Sequence, residues 1–314
     1  MQVGRSATRR RQHDLCRCPD VRSPVPGAGL QEGPSGIERC YSAAIRRIAP
    51  SVGTAAQAAV AALVAQARTA GAFDASRYFR TSEPMSFLNV RTPIVRALGR
   101  TIARQHRGEW TVDDAVAFAD RLIRDDRFEV KGVAIETLAV FRRQFEPRLL
   151  PAWKRWLADD HAANWATTDS LCGSLITPLL LAHPELVDSV AAWTTHRNLW
   201  VRRAAAVSLV RLAARGLALD RAYGVATALL ADDHDLIHKA TGWLLREAGR
   251  TDRRRLERYL LDHGPAVPRT AVRYAIEHVP PARRRELLLA TRAAAPEGRP
   301  RPPRDRSSKR RVFR

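Results

Sequence analysis

The sequence has no run of 18 apolar residues, which argues against a single transmembrane helix. Its N-terminal stretch also lacks the uninterrupted apolar core of a secretory signal, so a cytoplasmic protein is expected. Cysteine is scarce, with four residues, of which Cys16, Cys18 and Cys40 precede residue 41. That number gives a chain of 314 residues no disulfide framework. Cys172 stands alone among apolar neighbours and reads as a small core residue. Metal-ligand sets are as thin. Cys16 and Cys18 with His13 have no second ligand pair at finger spacing. His234 and His238 are four apart, but no glutamate base lies between them, so no metal site and no cofactor is assigned. Acid is the other deficit: 32 acidic residues face 53 basic ones, a net charge of +21.

The excess is not confined to the ends. Residues 1–50 carry +5 and residues 293–314 carry +6, leaving 36 basic and 26 acidic residues, +10, on the middle of the chain. A domain of that charge favours a polyanionic partner. Arginine far outnumbers lysine, which suits the planar, two-pronged recognition of phosphate. The first 50 residues are rich in Arg, Pro, Gly and Ser and show no periodicity, and a disordered extension is expected there. The Arg- and Pro-rich stretch 293–314 is expected to be a disordered basic tail. Residues 51–292 are then the folded domain.

Within that domain the strand signal is poor and helical periodicity runs almost throughout. Thr54 is placed to cap an Ala-rich helix reaching Ala72, and Pro93 suits the first turn of another. Four segments share a pattern: an apolar residue, a short polar turn, and an apolar residue eight positions later. They are Leu122–Val130, Leu157–Trp165, Trp193–Val201 and Leu229–Ile237, and Val272 continues the series. The spacing of about 35 residues, one helix pair per unit, predicts an all-α, HEAT-like solenoid of antiparallel helix pairs with a concave basic groove.

The second helix of each unit carries the residues of interest. Trp165 and Asp169 are four apart and fall on one helical face. Arg202, Arg203, Lys239 and Trp243 lie on the corresponding helices of the next two units. Lys131, Arg202, His238 and Arg273 each follow the aligned apolar residue, a basic ladder at the right spacing for a duplex backbone. Each is equally readable as part of a solvated face.

Several blocks, in order across residues 55–290, resemble the bacterial DNA alkylation repair family of HEAT-like-repeat glycosylases. They are Tyr78-Phe-Arg, Phe87-Leu-Asn-Val-Arg-Thr-Pro93, Trp165 with Asp169, His183-Pro-Glu-Leu, Asn198-Leu-Trp-Val-Arg-Arg-Ala-Ala205 and Lys239 through Glu247. The resemblance implies a monomeric enzyme, nucleoid-associated in a bacterium, that excises cationic N3- and N7-alkylpurines from duplex DNA. It implies that Asp169 is the catalytic carboxylate, with Trp165 and Trp243 as active-site tryptophans. Arg203 is then a DNA-contacting arginine and Tyr78 an aromatic near the lesion; Arg202, Lys239 and Arg273 complete the expected DNA contacts. The chain departs from the family pattern at Asn164, where a second aromatic is usual, and at Ala166, where an acid is usual. The rival reading is a non-catalytic HEAT-like scaffold that binds nucleic acid. A protein-binding adaptor ranks below it because of the charge.

Overall fold

The computed structural model describes residues 49, 51–67, 79 and 85–292. The expectations for the first 48 residues, for Tyr78 and for the tail 293–314 lie outside the described residues.

Every regular element among the described residues is helical, and the pairing between strands is limited to one isolated bridge, Ser86 to Arg127. Helix α1 (Ser51–Ala67) starts three residues before Thr54, which sits exposed within it. Tertiary contacts set that start. The Ala49 amide donates to Asp114 Oδ1 at 2.6 Å, and Trp110 Nε1 donates to Ser51 Oγ at 2.9 Å. Helix α2 (Thr92–Gln105) opens on Pro93, as expected. Helix α3 (Val112–Ile123) begins with a reciprocal capping box between Thr111 and Asp114.

The aligned turns fall where the spacing predicts. Helix α3 ends and α4 (Phe128–Leu138) begins across the first; α5 (Leu150–Ala158) gives way to α6 (Trp165–Leu171) across the second. A π-helical turn, Cys172–Ile176, joins α6 to α7 (Thr177–Ala182). Helix α8 (Val187–Ala191) and a 3-10 turn precede α9 (Leu199–Val207), which is followed by the short α10 (Val210–Ala213). Helices α11 (Leu219–Ala228) and α12 (Asp235–Thr251) flank the fourth turn. Then come α13 (Arg253–His263), α14 (Arg269–Ala275) and α15 (Pro281–Ala290).

The second helices touch in series: α4 packs on α6, α6 on α9, α9 on α12 and α12 on α14. Between them runs one apolar core, in which Phe118, Trp153, Trp156, Leu171 and Ile176 are buried. The approach of α12 to α14 is close enough to demand Gly242, whose absent Cβ would lie 2.6 Å from the Ala271 carbonyl oxygen.

Polar turns are stitched to their neighbours. Lys131 Nζ donates to the Ile123 and His161 carbonyls at 2.8 and 2.9 Å, and Lys131 is buried. Asn198 Nδ2 reaches Asp160 Oδ1 and the Ala158 carbonyl in the preceding turn. Arg202 donates from Nη1 to the His196 and Arg197 carbonyls and from Nε to Asp232 in the following turn. His238 Nε2 binds the Asp232 carbonyl. The expected outward ladder is therefore corrected: Lys131, Arg202 and His238 turn back onto their own turns. The carbonyls at a helix C-terminus and in a tight turn lack intrahelical donors, and a cation six to eight residues on is well placed to supply them. Arg273 alone of the four is exposed on the surface.

Candidate active site

Helix α6 is short, and its first turn decides where the two leading candidates point. Asn164 caps it: Asn164 Oδ1 accepts from the Thr167 amide at 2.8 Å and Nδ2 donates to Thr167 Oγ1 at 2.9 Å. The residue at which the chain departs from the family pattern thus has a defined task, and Asn164 is buried in performing it. Trp165 is the first helical residue and Asp169 stands one turn on. The π turn begins three residues after Asp169, a local widening common beside functional groups. The Gly173 carbonyl in that turn accepts from Arg211 Nη1 at 3.2 Å.

Asp169 is held by Arg203 in a two-pronged pair. Arg203 Nε donates to Oδ1 and Nη2 to Oδ2, both at 2.8 Å, and Nη1 donates to the Leu236 carbonyl at 2.6 Å. One guanidinium therefore joins α6, α9 and the first turn of α12. Its side chain is 6% exposed, whereas that of Asp169 is 18% exposed. Asp169 is the less buried partner of this pair. Burial pushes the Asp169 pKa above the ordinary carboxylate value, against the opposing pull of Arg203. Two parallel N–H donors aimed at both oxygens require the ionised acid as their acceptor. Arg203, expected to contact DNA, has its guanidinium engaged here by the Asp169 carboxylate and the Leu236 carbonyl.

Trp165 rests on aromatic neighbours that spacing alone did not place. Its ring stacks on Phe79 at 5.5 Å with planes 20° apart, and Phe79 in turn meets Phe87 and Phe128 at 5.5 and 5.6 Å. The stretch bearing Phe87 is anchored by the buried Glu129, which accepts from the Leu88 and Val90 amides at 2.9 and 3.2 Å. Asn89 between them takes a left-handed conformation with φ of 59°. Trp243 is half-buried against the core on α12, seven residues past the Leu236 carbonyl that Arg203 holds. Lys239, on the same helix, pairs with Asp235 at 2.7 Å and stays 39% exposed.

Among the described residues, the cysteine and histidines considered for chemistry are poorly suited to it. Burial pushes the Cys172 thiol up to about 12, which removes it as a nucleophile. His161 and His196 fall in turns, as expected, and burial lowers both pKa values. His161 Nε2 faces Arg124 Nη1 at 3.1 Å and His196 Nδ1 accepts from the Asn198 amide, so each of these nitrogens is an acceptor without a proton. Among the described residues no group of three His, Cys, Asp or Glu side chains is arranged to hold a metal ion. Nor is any single helix among them long and apolar enough to cross a membrane.

A family model described as DNA alkylation repair enzyme matches residues 59–279, which include α6, α9 and α12 entire. The chain belongs to the DNA alkylation repair enzyme family. A solved structure described as a predicted DNA alkylation repair enzyme from Enterococcus faecalis aligns with a TM-score of 0.58. It shares 19% identity and the match covers 66% of this chain and 93% of that one, a likeness of fold. No curated protein matches the chain. The matched span contains both Asp169 and Arg203.

Proposed function

We propose that this member of the DNA alkylation repair family is a DNA glycosylase that hydrolyses the N-glycosidic bond of cationic N3- or N7-alkylpurines in duplex DNA. The observation that carries the reading is the Asp169 carboxylate, fixed by two bonds from a buried arginine and the less buried member of the pair. The serial helix pairs form a HEAT-like solenoid whose second helices build a concave, basic, duplex-binding surface. The protein acts as a monomer in the cytoplasm and needs no metal or cofactor.

An alkylated purine already carries positive charge. When its bond to C1′ breaks, the electron pair goes to the base, which departs neutral without a proton donor. The sugar becomes oxocarbenium-like. Asp169 stabilises that cation, water adds to C1′, and the water's proton passes to Asp169 or to solvent. Trp165, backed by Phe79, and Trp243 contribute cation–π and CH contacts of about 0.5–2 kcal/mol each. Arg203 positions Asp169. The exposed cations Lys239 and Arg273 meet backbone phosphates, whereas Arg202 is held by Asp232 and two turn carbonyls; the family resemblance gives Tyr78 a contact with the lesion.

The test is release of free base and formation of abasic sites in duplex containing 7-methylguanine. Uracil in a matched duplex should remain attached, because a neutral base leaving as an anion faces a much higher barrier without an acid. Efficient uracil release would overturn the mechanism. One observation favours the non-catalytic scaffold: both Asp169 oxygens are already engaged by Arg203. That reading predicts duplex binding with no base release.

A further inference from the structure

Two clefts of ligand size among the described residues differ in charge. One, of about 410 Å³, is lined by Asp188, Asp220 and Arg221 with small residues of α8 and α11. There Arg221 pairs with Asp188 and Asp220 pairs with Arg255, so the charges are balanced. The other, of about 510 Å³, lies between the end of α2 and the 3-10 segment Ala139–Gln144 that follows α4. Ala103, Val140 and Phe141 line it together with Arg107, Arg142, Arg143 and Gln144. No acid does.

The acids nearest in the chain are all engaged elsewhere. Glu109 binds His106, Glu136 binds Arg96 and Glu146 binds Arg148. Arg107, Arg142 and Arg143 are exposed and have no side-chain partner among the described residues. Two helix ends face the same region, and each offers roughly half a negative charge. Together they offset about one of three positive charges. A surplus of about two remains around a concave site whose lining is part apolar, of a size usual for small ligands.

We propose that this cleft is an anion site for a phosphate group, gripped by the guanidinium forks of Arg107, Arg142 and Arg143. Arginine forks match phosphate oxygens in pairs, and binding relieves the mutual repulsion of the three cations. The site is separate from Asp169. By the repeat alignment Ala134 is the α4 counterpart of Asp169, and Phe141 lies seven residues beyond it, on the order of 10 Å along the helix axis. The phosphate comes either from a free phosphorylated compound or from a DNA backbone running past the cleft.

The experiment titrates two probes, inorganic pyrophosphate and a lesion-free duplex, against the full chain by calorimetry at several salt concentrations. Wild type is compared with R107Q/R142Q/R143Q and with R215Q/R254Q/R258Q, a control that removes the same charge from other exposed arginines. Thermal melting checks that both variants fold. Saturable pyrophosphate binding, weakened at least tenfold in the cleft variant and within twofold in the control, supports a free phosphate ligand. A duplex salt slope that becomes shallower by two to three units in the cleft variant, and by less in the control, supports the DNA backbone as the source. Equal behaviour of the two variants with both probes overturns the site, as does the absence of saturable binding of both probes. None of these readouts depends on base release, so the site and the glycosylase reading fail independently.

Discussion

Two groups of cations in this molecule have opposite fates. Along the turns that open α6, α9 and α12 the cations face inward: Lys131 and Arg202 supply donors to turn carbonyls and Arg203 grips Asp169. At the ends of α2 and α4, Arg107, Arg142 and Arg143 bind nothing among the described residues. The same side chain therefore serves architecture in one place and remains available to a ligand in the other. What separates them is the nearby supply of acceptors. Turn carbonyls and a carboxylate satisfy the first group, whereas the acids close to the second are already paired. Net charge alone does not report how much of it a partner can reach.

The largest expected effect lies at the pair itself. Asp169→Asn keeps the shape but removes the charge that stabilises the sugar cation. Single-turnover release of 7-methylguanine should fall about 10²–10⁴-fold while duplex affinity holds. Excision at the wild-type rate would reduce the Asp169–Arg203 pair to architecture.

Arg203→Ala tests whether the buried cation positions the carboxylate or touches DNA. It strands Asp169 and orphans the Leu236 carbonyl, so unfolding in urea should show a loss of about 3–5 kcal/mol. The pH profile supplies a readout that destabilisation does not give. Burial raises the Asp169 pKa in wild type, so excision is present above that pKa and lost as pH falls through it. Removing Arg203 withdraws an opposing pull and should move this acid limb to higher pH. An unmoved limb would mean that Arg203 does not tune Asp169. A second limb at high pH, traced to a histidine, would contradict the absence of a general acid.

Lys131→Met addresses the inward-turned ladder. Two carbonyls lose their donor, and stability should drop by about 1–3 kcal/mol with no change in the salt slope of duplex binding. A shallower slope would show that Lys131 meets phosphate after all.

The smallest effect compares two members of the same repeat position. Arg273→Ala should make the salt slope of duplex binding shallower by up to about one unit, and Arg202→Ala by close to none, because Arg202 is held by Asp232 and two carbonyls. Equal slopes in the two variants would erase the distinction between inward and outward cations.

Much of the fold was legible because it follows from local pattern. The recurring apolar–turn–apolar segments placed the starts of α4, α6, α9 and α12 to within a few residues, and Pro93 marked the start of α2. The pairing of Trp165 with Asp169 on one face followed from helical spacing. The start of α1 was misplaced because it is fixed by Asp114 and Trp110, more than fifty residues away in the chain.

The sequence by itself determined the helical class, the repeat, the positive charge and the presence of an acid one turn after a tryptophan. These depend on composition and on spacings within a few turns of chain, where neighbours in sequence are neighbours in space. Only the tertiary structure decided which cations are used up and which are free. Arg202 and Arg203 are adjacent in sequence, yet one turns to Asp232 and the other to Asp169, thirty residues forward and thirty-four back. Successive side chains on a helix point about 100° apart, so neighbours face different elements, and which acceptor each meets depends on how those elements pack.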